Sequence, residues 1–190
     1  MVSLAEAHRS LYGATLLARF DRDGLNAFGH EGADAAKSFF AAVIVAPMYL
    51  VWMILYGDAY PENTPFIFAF VFESLSYVIG WLIFPLVVWY LSPALGCRER
   101  FFHFLTVYNW VAVVQNAMFM GMDLLFWALG APEMARGFFG LLLFVYILLY
   151  GWFVAKHALG LPGGPAATIV ALDMAVTMFW KMITDGMIRG

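Results

Sequence analysis

Long apolar runs separated by short turns make up most of this chain from residue 38 onward. Five runs are long enough to cross a hydrocarbon core of about 30 Å: residues 38–56, 65–91, 104–129, 137–159 and 165–184. The turns at 57–64, 92–103, 130–136 and 160–164 are short, and proline and glycine mark three of them. Short turns make consecutive helices antiparallel neighbours. The pattern predicts an all-α membrane protein, a compact bundle of five transmembrane helices over 38–190 with no second domain. No internal repeat is present, and the odd span number argues against two equal inverted halves. Residues 1–37 follow a different pattern. Leu4, Ala7, Leu11 and Ala14 share one helical face, with Glu6, Arg9, Ser10 and Gly13 roughly opposite. Leu16, Leu17 and Phe20 widen the apolar arc. The segment reads as an amphipathic helix lying on the cytoplasmic leaflet or as a helix capping the bundle. It lacks a continuous apolar stretch, and Glu6 stands where a signal peptide is basic, so no cleaved signal is expected.

Composition agrees with the pattern. Hydrophobic residues are 64% and charged residues 12% of the chain, about half the charge of an ordinary soluble domain. Mean hydropathy is +0.82. A net charge of −3 without a basic cluster argues against nucleic acid. The single cysteine, Cys97, makes no internal disulfide and no thiolate metal cluster. Arg9, Arg19, Arg22, Lys37, Arg98, Arg100 and Lys156 fall on the N-terminal side of the spans. Only Arg136, Lys181 and Arg189 fall on the other, whose first turn holds Asp58 and Glu62. The excess predicts a cytoplasmic N-terminus and an outer C-terminus. Trp52, Trp89, Trp110, Trp127, Trp152 and Trp180 stand near proposed span ends, where indoles settle at the interface.

Polar residues inside the spans carry the candidate chemistry. Asn109, Asn116 and Asp123 are seven residues apart, which returns a helix to nearly the same face. Such a stripe is tolerated in a membrane against protein or water. Glu73, Asp123 and Lys181 are placed in the outer half of the bilayer, and Asp173 near the middle with Gln115 and Asn116. An intramembrane charge costs at least about 2.5 kcal/mol when unpaired, so Lys181 is expected to pair with Glu73 or Asp123, leaving one carboxylate over. Ser76, Tyr77 and Gly80 follow Glu73 at i+3, i+4 and i+7 on its face. The expected seam joins spans two, three and five through these residues and Thr177. It reads either as a proton relay or as a structural hydrogen-bonded network. Pro85, and also Pro47, are positions where a helix can kink and free a carbonyl.

In span five, Ala167, Ala171 and Ala175 form a small-residue stripe suited to close helix packing. Asp173, Thr177 and Lys181 lie nearly opposite, and Ile169, Leu172, Val176, Phe179 and Ile183 are expected to face lipid. Two protein-facing sides suggest a membrane-protein partner or a homo-oligomer. His103 and His157, at the cytoplasmic ends of spans three and four, are a ligand pair for a b-type haem or a metal, or two solvated interfacial imidazoles; no cofactor and no metal is assigned. The sequence holds no H-E-x-x-H, G-x-S-x-G or G-x-x-x-x-G-K, so no enzyme activity is expected.

The stretch Gly151-Trp152-Phe153-Val154-Ala155-Lys156-His157-Ala158-Leu159-Gly160-Leu161-Pro162 is similar to the fourth span of the Yip1-domain family. The Leu95-Gly96 turn into a polar-faced third span resembles that family too. Ala46-Pro47-Met48-Tyr49 stands where its eukaryotic members carry Asp-Leu-Tyr-Gly-Pro. The resemblance implies a five-span integral membrane protein with a cytosolic N-terminus over residues 38–190. Together the features predict a bacterial inner-membrane protein that binds partners in the bilayer as scaffold, assembly factor or accessory subunit. A proton or small-solute transporter built on the polar seam is the alternative, and a haem-binding redox subunit the third reading.

Overall fold

The computed structural model describes residues 2–55 and 65–189. The end of the first run at Tyr56 and the turn with Asp58 and Glu62 lie outside the described residues. Among the described residues the chain is helical throughout, with no strand: α1 Leu4–Ala18, α2 Gly32–Ser38, α3 Phe40–Leu55, α4 Phe66–Leu91, α5 Phe101–Ala128, α6 Glu133–Ala158 and α7 Gly163–Arg189. Short 3-10 turns stand at Arg22–Ala27 and Arg98–Arg100. Five stretches are long and apolar enough to cross a membrane: Gly32–Met53, Ile67–Leu91, Arg98–Ala128, Glu133–Ala158 and Gly163–Met187. The helices overrun the apolar runs. α6 starts at Glu133 rather than 137, and α7 continues to Arg189 rather than stopping at 184. Hydropathy measures the length lipid will accept, whereas backbone hydrogen bonding continues through polar flanks. α5, with 28 residues, is about 42 Å long, longer than a hydrocarbon core of about 30 Å.

One device ends the helices. Gly96, Gly130 and Gly160, each preceded by leucine, take φ of 65°, 59° and 68°. This left-handed turn lets the next N–H reach back five residues: Cys97 to Ser92 O at 3.0 Å, Ala131 to Phe126 O at 3.0 Å and Leu161 to Lys156 O at 3.0 Å. Pro132 and Pro162 then stop the helix from continuing. α1 ends the same way without glycine. Asp21 N–H donates to Leu16 O at 3.1 Å, with Phe20 at φ 59°. The strain of a bulky residue there is held by edge packing of the Phe20 ring on Tyr146 and Phe153, at 5.9 and 5.5 Å.

α5 is the central helix, packed by α1, α2, α3 and α6, while α7 lies against α6 and α4. The core is concentrated at one end. On α5 the buried residues run from Phe101 to Val113, on α6 from Tyr150 to Ala158, and on α7 they begin at Ala166 and Ile169. α1 caps this end. It buries Ser10, Gly13, Ala14, Leu17 and Ala18, while Leu4 is exposed. The apolar stripe read from the sequence is therefore rotated: Ser10 and Gly13, assigned to the polar side, face inward. The reason is backbone approach. A methyl on Gly13 would stand 2.5 Å from Ala27 Cβ and 2.8 Å from Gly24 O, so only glycine permits the α1–turn contact. Tyr150 donates to Ala14 O at 2.6 Å and Tyr146 to Ala18 O, tying the C-terminal turn of α1 to α6. At its start, Ser3 and Glu6 form a capping box, and Lys37 pairs with Glu6 at 3.1 Å. The Ser3 backbone N–H, then the Ser3 hydroxyl and Lys37, hold the Glu6 carboxyl down at about 2. Arg98 donates to Trp89 O at 2.7 Å and lies over the Trp89 ring, closing the α4–α5 turn. Trp110, read as an interfacial belt residue, is a core residue at 2% exposure.

Candidate functional site

Beyond the packed end the bundle opens into a chamber of about 720 Å³ among α3, α4, α5 and α7. Each helix contributes one stripe at helical spacing. α3 presents Val45, Met48, Tyr49, Trp52 and Met53; α4 presents Glu73, Ser76, Tyr77, Gly80, Trp81 and Phe84. α5 presents Tyr108, Ala112, Asn116, Phe119, Met120 and Asp123; α7 presents Asp173, Val176, Thr177, Trp180, Lys181, Thr184 and Asp185. Eight seam residues meet on this wall: Glu73, Ser76, Tyr77, Asn116, Asp123, Asp173, Thr177 and Lys181. Asn109 and Gln115 do not. Gln115 is half-buried and off the chamber wall. Asn109 is wholly buried in the packed end, where its Nδ2 donates to Ser38 Oγ at 2.8 Å and the Ser38 hydroxyl in turn donates to Ala35 O at 2.7 Å. Its Oδ1 has no hydrogen-bond partner among the described residues.

Hydrogen bonds between helices fix the wall. Tyr49 on α3 donates to Glu73 Oε2 on α4. Tyr77 on α4 donates to Ala42 O on α3 at 2.6 Å, and the two tyrosine rings stand 4.9 Å apart. Tyr108 on α5 donates to Asp173 Oδ1 on α7 at 3.0 Å. Trp180 Nε1 on α7 donates to Ser76 O on α4 at 3.2 Å. Asn116 turns its amide to Ala112 O on its own helix, at 2.8 Å, and does not bridge helices. Asp123 lies within electrostatic reach of Arg136. Asn116, Phe119, Thr177 and Lys181 are exposed, so the chamber is open and not a sealed core void.

The ion pairing differs from expectation. Lys181 pairs with Asp185 one turn on, at 3.4 Å, not with Glu73 or Asp123. Its ammonium also lies 5.7 Å from the Trp52 ring centre. The sequence ends its fifth run at 184, so Asp185 at i+4 from Lys181 escaped notice although the spacing favours that pair. Ile169 and Val176, expected toward lipid, turn inward: Ile169 is buried and Val176 lines the chamber. Ala167, Ala171 and Ala175 are exposed, and the helix packs in this chain through Ala166 and Ile169 instead. The side of α7 that carries Asp173, Thr177 and Lys181 faces the chamber.

The two histidines have separate surroundings. His103 is buried, stacked on His30 at 3.9 Å, with Nδ1 3.2 Å from Gly29 O. His157 packs edge-on against Phe153 at 4.5 Å. Among the described residues no three or more His, Cys, Asp or Glu side chains are grouped to hold a metal ion. Cys97 is buried, and burial pushes its thiol above the ordinary range, which makes it a poor nucleophile. Tyr49, Tyr108, Trp52, Trp81 and Asp185 are wall residues that sequence reading missed. For Tyr108 a signal existed, since it precedes Ala112 and Asn116 on one face. For Tyr49 none did, because its meaning depends on α4. No family model, curated protein or solved structure matches the chain.

Proposed function

We propose that this protein is a multi-pass membrane protein that binds a small solute or proton in the chamber and conducts it across the bilayer. One observation carries the reading: a chamber of about 720 Å³ into which four helices direct carboxylates, hydroxyls and aromatic rings. Its volume is that of a ligand pocket, about 300–1,000 Å³. Ionisable groups in apolar helices are costly to keep and mark solute or proton paths. A network serving only to weld the helices would pack its members as Asn109 and Ser38 are packed, without open space beside them. The excess of basic residues beside α1 supports a cytoplasmic N-terminus, in keeping with a bacterial inner membrane and with the Yip1-like five-span order. The test is proteoliposome reconstitution with an entrapped pH dye under an imposed proton gradient. Asp123→Asn and Asp173→Asn should each slow acidification at least tenfold while the helical circular dichroism stays constant. Flux that neither substitution alters sinks the reading.

A second reading is favoured by a different observation. Ala167, Ala171 and Ala175 stand exposed along α7, where small residues allow another transmembrane helix to approach. Under this reading the protein is a scaffold or accessory subunit, and a cysteine at Ala171 should cross-link to a partner helix in native membranes. Absence of proton flux together with a specific cross-link would favour it over the carrier.

A further inference from the structure

The balance of charge in the chamber is one-sided. Glu73, Asp123, Asp173 and Asp185 supply four carboxyl groups to the wall, and Lys181 is the one cationic side chain lining it among the described residues. That ammonium is already engaged by Asp185 at 3.4 Å. An anion entering the space would meet carboxylates in a region of low dielectric, where like-charge repulsion is strong. A purely apolar guest would cover the carboxyl groups without replacing the water they lose. A positive charge answers both conditions.

The walls decide which kind of cation. A hard inorganic ion needs six or more oxygens at about 2.3–2.6 Å if it is Ca²⁺, or a tight octahedron if it is Mg²⁺. Among the described residues no three or more His, Cys, Asp and Glu side chains gather closely enough to hold a metal. The chamber instead offers rings from each of its four helices, Trp52, Tyr77, Trp81, Tyr108 and Trp180 among them, with methionines at positions 48, 53 and 120. Aromatic faces and thioethers receive large, weakly hydrated cations. Lys181 already shows the chemistry: its Nζ lies 5.7 Å from the Trp52 ring centre and 3.4 Å from an Asp185 oxygen. One cation of the protein's own thus has both a ring and a carboxylate for neighbours.

We infer that the chamber takes a lipophilic organic cation, its charge set against Asp173 and Asp123 and its apolar body against the aromatic walls. The inference rests on the chamber being the solute site. Asp173 is the principal anchor, because Tyr108 fixes its carboxylate by a hydrogen bond at 3.0 Å from a neighbouring helix. Lys181 acts against the ligand, both by adding like charge and by occupying Asp185.

Equilibrium dialysis of the purified full-length protein in detergent tests this, with tetraphenylphosphonium and tetraphenylborate as probes of equal shape and opposite charge. The cation should bind saturably to one site and the anion should not. Asp173→Asn should weaken cation binding at least tenfold, and Asp123→Asn several-fold. Lys181→Gln should strengthen it several-fold, a gain that a misfolded variant does not give. Saturable binding of tetraphenylborate to the same site, or affinities indifferent to both aspartate substitutions, overturns the cation inference and leaves the solute chamber in place. If neither ion binds saturably, the inference falls, and the proton-flux assay judges the carrier reading separately.

Discussion

The two ends of this bundle share α3, α4, α5 and α7 and treat side chains differently. At the α1 end, α5 buries nearly every residue from Phe101 to Val113, and backbones approach so closely that Gly13 and Gly24 admit no methyl. At the far end, α5 buries none of residues 114–128, and nothing lies within 4 Å of a methyl placed on Gly80 or Gly121. Asn109 and Asn116 show what the difference means. They share a helix face and a side-chain type. Asn109 spends its amide on a neighbouring segment and disappears from the surface, whereas Asn116 folds back on its own helix and leaves its face to the chamber. A polar residue inside a long apolar helix is a weld or a lining according to how far away the next helix stands.

The largest expected effect compares cores. Trp110→Ala should destabilise the detergent-solubilised protein by about 3–5 kcal/mol, because a fully buried ring leaves a cavity. Phe119→Ala, on an exposed chamber wall, should change it by about 0.5 kcal/mol or less. Equal losses in thermal unfolding would dissolve the distinction between the ends. Next, Gly13→Ala should cost about 1–3 kcal/mol by forcing α1 off Ala27 and Gly24. Gly80→Ala should be neutral or stabilise by up to about 1 kcal/mol, through helix propensity in open space. A Gly80→Ala melt that falls as far as that of Gly13→Ala would mean the chamber closes in solution.

A smaller effect separates the two asparagines. Ser38→Ala removes the acceptor of the buried Asn109 amide and should cost about 1–3 kcal/mol. Asn116→Ala removes a bond within one helix and should leave the melting temperature unchanged. The smallest effect is confined to α1. The Glu6 carboxyl, held at about 2 against an ordinary 4.5, contributes stability that is fully present above pH 4.5 and is lost as pH falls toward 2. Amide protection in α1, taken relative to the intrinsic exchange rate at each pH, should therefore fall on acidification across that window. In Glu6→Gln it should be lower at neutral pH and flat across the window, with tetraphenylphosphonium binding unchanged. Retained acid sensitivity in that variant would assign the effect elsewhere.

Much of the site was legible as faces. The spacing of Glu73, Ser76, Tyr77 and Gly80 placed them on one side of α4, and all four line the chamber. Asn116 with Asp123 and Asp173 with Thr177 and Lys181 follow the same rule on α5 and α7. Pairing was not legible. Lys181 had two acids at its depth, Glu73 and Asp123, and depth says nothing of azimuth between helices; Asp185, on its own helix at i+4, won. Of the two sides of α7 expected to face protein, the one with Asp173, Thr177 and Lys181 lines the chamber, and the alanine stripe stays exposed in this chain. The helix instead packs by Ala166 and Ile169, which fit against α6 and the rest of the core.

The sequence by itself determined five stretches long and apolar enough to cross a membrane, the glycine turns that follow them and the polar stripes on the helices. These follow from lipid-length hydropathy, backbone sterics and a period of about 3.6 residues, all properties of one helix in its solvent. Only the tertiary structure decided that one end closes and the other opens, that Asn109 is a weld and Asn116 a wall, and that Tyr49, Tyr108 and the tryptophans complete the chamber. Those outcomes depend on the distance between helices. That distance is set by the side chains of every neighbour at once, as at α1, where a glycine contact lets two backbones meet.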